Sequence, residues 1–198
     1  MNSTLQRDTA AKLARSDSDE ALKVARAISD PWFRAQALSH VARYTAGDPC
    51  KLAIEAERAA ALCDDDFKRS AVRAWEVAAL AERGKVKEAR TALLASVKQA
   101  TLATPPGSRS EALTLLLHAA TRIGINETML VAQALLSVLS VDSHWRCVRS
   151  VKEATAVITQ LDSKSANNFV DGISDENTKS KCLAAIREGG MAARPFFW

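Results

Sequence analysis

The chain has 198 residues, enough for one domain with a substantial core and too few for two comfortable ones. Hydrophobic residues make up 47%, only seven positions are Gly, and Ala, Leu, Lys, Arg and Glu dominate without alternating β-branched runs. This predicts an all-α fold and excludes a β-sheet protein. A net charge of +4, with both signs interspersed and no block of five or six like charges, argues against a dedicated nucleic-acid binder.

In chain order, a first helix is expected from about Thr4 to Arg15 and a second from about Glu20 to Ile28, separated by Ser16-Asp17-Ser18-Asp19. Asp30-Pro31 starts a third, because Asp caps free amides and Pro at the first helical position loses no hydrogen bond. Its stripe of Phe33, Ala37, Leu38, Val41 and Ala42 buries one face, and Gly47-Asp48-Pro49 ends it. The fourth runs from about Cys50 to Leu62. The fifth opens at Asp64 to Asp66, turns Val72, Trp75, Ala78 and Ala79 inward, and closes at Gly84. The sixth, from Val86 to about Ala103, stops at Thr104-Pro105-Pro106-Gly107. Ser108 and Glu111 form a capping box for the seventh. Gly124, Asn126 and Asp142 mark the next boundaries, and Asp162/Ser163 and Gly172 to Asp175 delimit the last pair. Leu38, Val41, Val72, Trp75, Leu116 and Leu183 are predicted core. About eleven helices joined by loops of two to five residues imply antiparallel neighbours.

Met1 to Asp8 has no apolar segment of the signal-peptide type, and no apolar stretch reaches the roughly 18 to 20 residues of a membrane span. Cys50, Cys63, Cys147 and Cys182 lie far apart with no CxxC spacing, which predicts reduced thiols and a cytoplasmic protein with no membrane partner.

Four segments share one pattern: an Asp, a bulky or threonine residue three positions on, a basic residue directly after it, then an apolar run. They are Asp30-Phe33-Arg34, Asp64-Phe67-Lys68, Asp142-Trp145-Arg146 and Asp175-Thr178-Lys179, at intervals of 34, 78 and 33 residues. A period in the thirties is the signature of stacked helical hairpins. Arg83-Gly84-Lys85-Val86-Lys87-Glu88-Ala89, with Leu93 and Ser96 after it, resembles the turn and second helix of a tetratricopeptide (TPR) repeat. Asp19-Glu20-Ala21, Ala25, Ile28 and Asp30-Pro31 are similar to the end of another, and Arg26 to Ala42 resembles the degenerate TPR-like arrays of large bacterial regulatory proteins. The resemblance covers about two thirds of the chain. It implies a right-handed αα superhelix, a TPR-like solenoid, over residues 1–189, with a concave face that binds protein segments.

The search for chemistry is mostly negative. His40, His118 and His144 have no partner at zinc-ligand spacing, and no nucleophile elbow, P-loop or dinucleotide fingerprint occurs. His40 and His118 each follow a proposed helix start, Asp30 and Ser108, by the same distance, as repeat-equivalent packing positions would. No enzyme, cofactor or metal site is expected. Phe33, Phe67 and Trp145 read as plugs between hairpins, with Arg34, Lys68 and Arg146 reaching carbonyls or carboxylates of the preceding turn. The alternative is a basic ladder of Arg34, Lys68, Arg109, Arg146 and Lys179 along one rim, drawing in an acidic peptide or a nucleic-acid backbone. Arg109 stands out of register with the others.

Residues 190–198 form an aromatic tail ending in Phe196, Phe197 and Trp198. A cap folded over the last hairpin and a docking peptide for this chain or a second copy both account for it. The expected function is a protein-interaction scaffold or regulatory adaptor holding an unidentified protein partner on its concave face. A nucleic-acid-binding helical repeat is the alternative.

Overall fold

The computed structural model describes residues 2–189, so the expectation for Phe196, Phe197 and Trp198 lies outside the described residues. Among these the chain is all-α. The helices are α1 (Ser3–Leu13), α2 (Ser18–Arg26), α3 (Pro31–Tyr44), α4 (Pro49–Ala61), α5 (Asp66–Ala71), α6 (Arg73–Glu82), α7 (Val86–Ala100), α8 (Pro106–Ala120), α9 (Ile125–Leu139), α10 (Trp145–Leu161), α11 (Ser163–Asp171) and α12 (Glu176–Arg187). None is long and apolar enough to cross a membrane.

Local chemistry places most of the starts. Asp17, Asp30, Asp48, Asp65, Asp162 and Asp175 each accept a hydrogen bond from an amide two or three residues on, satisfying donors that the first helical turn leaves orphaned. Proline follows at Pro31 and Pro49, where a missing N–H costs nothing. Gly84 ends α6 at φ 71°, and Lys85 N–H returns to the Leu80 carbonyl at 2.9 Å. That six-to-one bond needs a left-handed residue, which Gly supplies without strain.

Three starts differ from expectation. The α5 cap is Asp65, not Asp64, because only the Asp65 carboxylate reaches the Lys68 amide, at 2.7 Å. The capping box at Ser108 does not form: α8 begins earlier, with Pro105 as N-cap and Pro106 in the first turn, so Ser108 is inside the helix. Asp142 bonds to the His144 amide at 2.8 Å, but His144 is itself the cap of α10, accepting from Arg146 N–H. The single fifth helix is bent: α5 and α6 meet at Val72, so counted as one rod they bring the total to eleven. Ser70 Oγ donates to the Asp66 and Phe67 carbonyls at 2.7 and 3.1 Å, a back-bond that loosens the ladder just before the break.

Packing is local in sequence. In the series α1, α3, α6, α8, α10, α12 each helix packs on the next, forming one continuous layer. The alternate helices lie against that layer with their backbones further apart, and ion pairs bridge two of the gaps: Arg26 of α2 to Glu55 of α4 at 2.7 Å and Arg90 of α7 to Glu127 of α9 at 3.1 Å. The core has two clusters. One joins α1 to α4 through Ala10, Ala25, Ile28, Leu38 and Val41; the other runs from α5 to α12 through Leu93, Leu113, Leu116, Leu135, Ile158 and Phe169. Trp32 packs against both. Of the predicted core, Leu38, Val41, Val72, Trp75 and Leu116 are buried, and Leu183 is partly covered.

Candidate interaction surface

Each basic residue of the predicted ladder sits near a helix start, and most are tied to their own surroundings. Arg34 Nη1 donates to the Ile28 carbonyl at 3.4 Å, and Arg109 Nε donates to the Ala103 carbonyl at 3.2 Å. Between them in the chain Arg69, which the pattern passed over, donates from Nε to the Cys63 carbonyl at 2.8 Å. Each guanidinium reaches back six residues, and each carbonyl belongs to a buried residue in the loop before the helix. Arg109 is therefore in register, and Lys68 is the residue displaced by one. Lys68 Nζ turns instead to Asp64, 2.8 Å away. Lys179 occupies the corresponding place on α12 and lies 3.8 Å from Asp171. The shift follows from the caps: counted from Asp65 rather than Asp64, the fourth residue on is Arg69.

The aromatic residues divide. Phe67 stacks on Trp32 with ring centroids 6.2 Å apart, and Trp75 meets Trp32 edge-on at 6.1 Å, so three rings close the junction of α3, α5 and α6. Phe33 lies under the Arg7 guanidinium at 5.3 Å. Trp145 does not plug a gap, because 58% of it is exposed.

That indole belongs to a cleft of about 530 Å³ between α10 and α12. Trp145, Arg149 and Lys152 follow one face of α10, and Asp175, Thr178 and Lys181 face them from the start of α12. Arg149 and Arg146 hold their guanidinium carbons 5.2 and 5.5 Å from the Trp145 ring and approach Glu111 of α8 at 3.2 and 3.8 Å. The stem of Arg146 lies against Gly107, where an added Cβ would sit 3.0 Å from its Cδ, so a larger residue there would lift the arginine off α8. Asp175 is engaged with its own helix: hydrogen bonds from Thr178 hold its carboxyl below the usual range. Neither Lys152 nor Lys181 has an ion-pair partner among the described residues.

A second polar series runs along the continuous layer of α1, α3, α6, α8 and α10. Arg15, in the turn after α1, lies 5.4 Å from the Tyr44 ring, and His40 lies 5.3 Å from it. Arg43 of α3 contacts Glu82 of α6 at 2.6 Å. Arg122, in the turn after α8, approaches the same Glu82 at 3.6 Å, and His118 meets Glu153 of α10 at 2.8 Å. Burial, then the Arg43 and Arg15 cations, push the His40 imidazole down to about 4. The two histidines do not share a repeat position: counted from the caps Asp30 and Pro105, His118 corresponds to Arg43. Burial, followed by Asp30 and Asp64, pushes the Cys63 thiol up to about 11, away from a nucleophilic role. Among the described residues no three His, Cys, Asp or Glu side chains gather as metal ligands.

Sequence reasoning missed the Trp145 cleft because the Asp-aromatic-basic pattern equated Trp145 with Phe67. The available signal was its spacing to Arg149 and Lys152, which puts two cations on the indole's own helix face. No protein-family model, curated protein or solved structure matches this chain.

Proposed function

We propose that this chain is a TPR-like solenoid, a right-handed αα superhelix, that acts as a non-catalytic scaffold holding a segment of another protein across the layer formed by α1, α3, α6, α8, α10 and α12. Support for the curvature comes from spacing: helices of that layer pack closely while the alternate helices splay, as they do on the convex side of a bent stack. A cytoplasmic setting belongs to the same reading, supported by four cysteines with no disulfide.

The observation that carries the binding role is the Trp145 cleft. An exposed indole flanked by arginine is the residue pair most enriched where proteins bind each other tightly, and here it borders two lysines without ion pairs. Mixed charge along the layer (Arg43, Glu82, Arg122, Glu153) favours a peptide over a continuous polyanion. Nucleic acid is the less supported reading, since Arg34, Arg69 and Arg109 already spend hydrogen bonds on backbone carbonyls.

The test is a peptide-display selection against the full chain, with hits measured on variants. Trp145→Ala with Arg149→Ala should weaken the selected peptides by roughly tenfold or more, and Leu94→Ala on the outer helix α7 should leave them unchanged. Equal binding to all variants would sink the assignment. Tight binding of a single-stranded oligonucleotide that collapses steeply with salt would transfer the site to the nucleic-acid reading.

A further inference from the structure

A second cleft, of about 320 Å³, opens where α4 and α7 splay apart over α6. Its walls are aliphatic: Ala53 and Ile54 from α4, Leu80 from α6, Ala92 and Ala95 from α7. Its floor is not. Glu76 is only 4% exposed, yet its carboxyl group lies there gripped by Arg73, with Nε to Oε2 at 2.8 Å and Nη2 to Oε1 at 3.1 Å. A second carboxylate, Glu57 of α4, approaches the same guanidinium at 3.0 Å and keeps 49% of its side chain exposed.

The Arg73–Glu57 pair ties α6 to α4, a link that apolar packing could supply as well. A buried ion pair rarely stabilises more than apolar residues of the same volume would, because desolvation consumes the Coulombic gain. Burial raises the Glu76 carboxyl above the usual range even with Arg73 beside it, and Glu57 adds to the rise. Two carboxyl groups converge on one guanidinium; with both ionised, one negative charge is left in excess, at the half-exposed edge of Glu57. The rim residues Lys87 and Glu88 offset each other.

We propose that this cleft binds a small aliphatic primary amine, its ammonium group against the exposed edge of Glu57 and its hydrocarbon chain along Ile54, Leu80 and Ala92. The ammonium group completes an alternation of carboxylate, guanidinium, carboxylate and cation. An anionic ligand meets two carboxylates around an arginine that they already occupy. A neutral alkane or alcohol fills the walls but leaves the floor charge uncompensated. The volume is at the small end of ligand clefts, which suits a single short chain. This site shares no residue with the Trp145 cleft, so either assignment can fail without the other.

The experiment uses the full chain, with n-pentylamine, 1-pentanol and pentanoate as probes of equal chain length at fixed pH 7 and ionic strength. Binding is read by titration calorimetry and by backbone amide shifts of α4, α6 and α7. Pentylamine should bind saturably at about millimolar strength, with pentanol and pentanoate at least about fivefold weaker. Glu57→Gln, at a half-exposed position that folding tolerates, should weaken the amine about tenfold and leave pentanol unchanged. Ala95→Phe, at an exposed position on α7, should block all three probes while far-UV circular dichroism stays that of the parent chain. Equal binding of amine and alcohol would overturn the proposal, as would a Glu57→Gln variant that retains full amine affinity. A preference for pentanoate would assign the cleft to acids instead.

Discussion

The two halves of the core solve the same packing problem with different side chains. Between α1 and α4 the buried cluster is mostly Ala, relieved by Ile28, Leu38, Val41 and Leu52. From α5 to α12 it is built on Leu93, Leu113, Leu116, Leu117, Leu135 and Ile158. Alanine lets helix backbones approach and loses no rotamer entropy on burial, so that half gains from many small contacts. Leucine spans wider gaps and removes more apolar surface per residue. Added volume should therefore cost more in the first half, and lost volume more in the second, where leucines are interleaved with alanines.

Their junction is where the comparison breaks most visibly. Trp32 packs against both clusters, and Trp75 closes on it edge-to-face. Trp75→Ala should cost about 3 to 5 kcal/mol, since an 8% exposed indole leaves a cavity that neither cluster can fill. Urea denaturation checks this. A midpoint within error of the parent chain would mean the two cores do not depend on the ring junction.

Acid sharpens the comparison from another side. His40 belongs to the Ala-rich half, facing Arg43 on its own helix and Arg15 in the turn after α1. Its folded-state value, about 4, lies below the 6.5 of a free imidazole. The unfolded chain thus takes up the proton first, so the stability is fully present above pH 6.5 and is lost as pH falls toward 4. The loss amounts to about 3 kcal/mol at most. His40→Gln should flatten stability against pH in that window. A parent curve that is already flat there would show that this imidazole is solvated.

How much of this was legible in the sequence depends on the range of the physics. Helix starts set by one Asp and its own amides, such as Asp30, Asp48 and Asp175, could be read locally. Asp64-Asp65-Asp66 offered three equivalent caps, and only the incoming chain direction selects Asp65. At α8 the strongest breaker, Thr104-Pro105-Pro106-Gly107, turned out to contain the helix start, because Pro is as suited to a first turn as it is hostile to an interior. The buried Arg73–Glu76 pair had a local sign, two charges three apart in an apolar run, but its depth is set by α4 and α7, which sequence spacing does not reveal. The face of Trp145 was decided likewise by where α12 ends up.

A smaller effect tests the Ala-rich half directly. Ala25 is fully buried between α2 and its neighbours. Ala25→Leu should destabilise by about 1 to 3 kcal/mol through overpacking, although Leu is nearly as good a helix former. In the Leu-rich half, Ala132→Val adds less volume and should cost less. If Ala25→Leu stabilises the chain, the close approach assigned to the first half is wrong.

The smallest effect asks whether the repeated arginine bond crosses the boundary between halves unchanged. Arg34 precedes the junction, Arg69 lies at it and Arg109 follows it, each donating to a carbonyl six residues back. Replacing each by Met keeps the aliphatic stem and removes the donor, so the loss reports the hydrogen bond rather than the packing. The carbonyl left behind belongs to a buried residue, and an unsatisfied acceptor there costs about 1 kcal/mol. At 2.8 and 3.2 Å, Arg69→Met and Arg109→Met should each show about that amount by urea denaturation. The Arg34 contact, at 3.4 Å, is near the limit of a useful bond and should show less. Equal losses at all three sites would make the staple independent of which core lies beneath it. No loss at any of them would free the arginines for an external ligand, and the basic ladder would regain its standing as a binding surface.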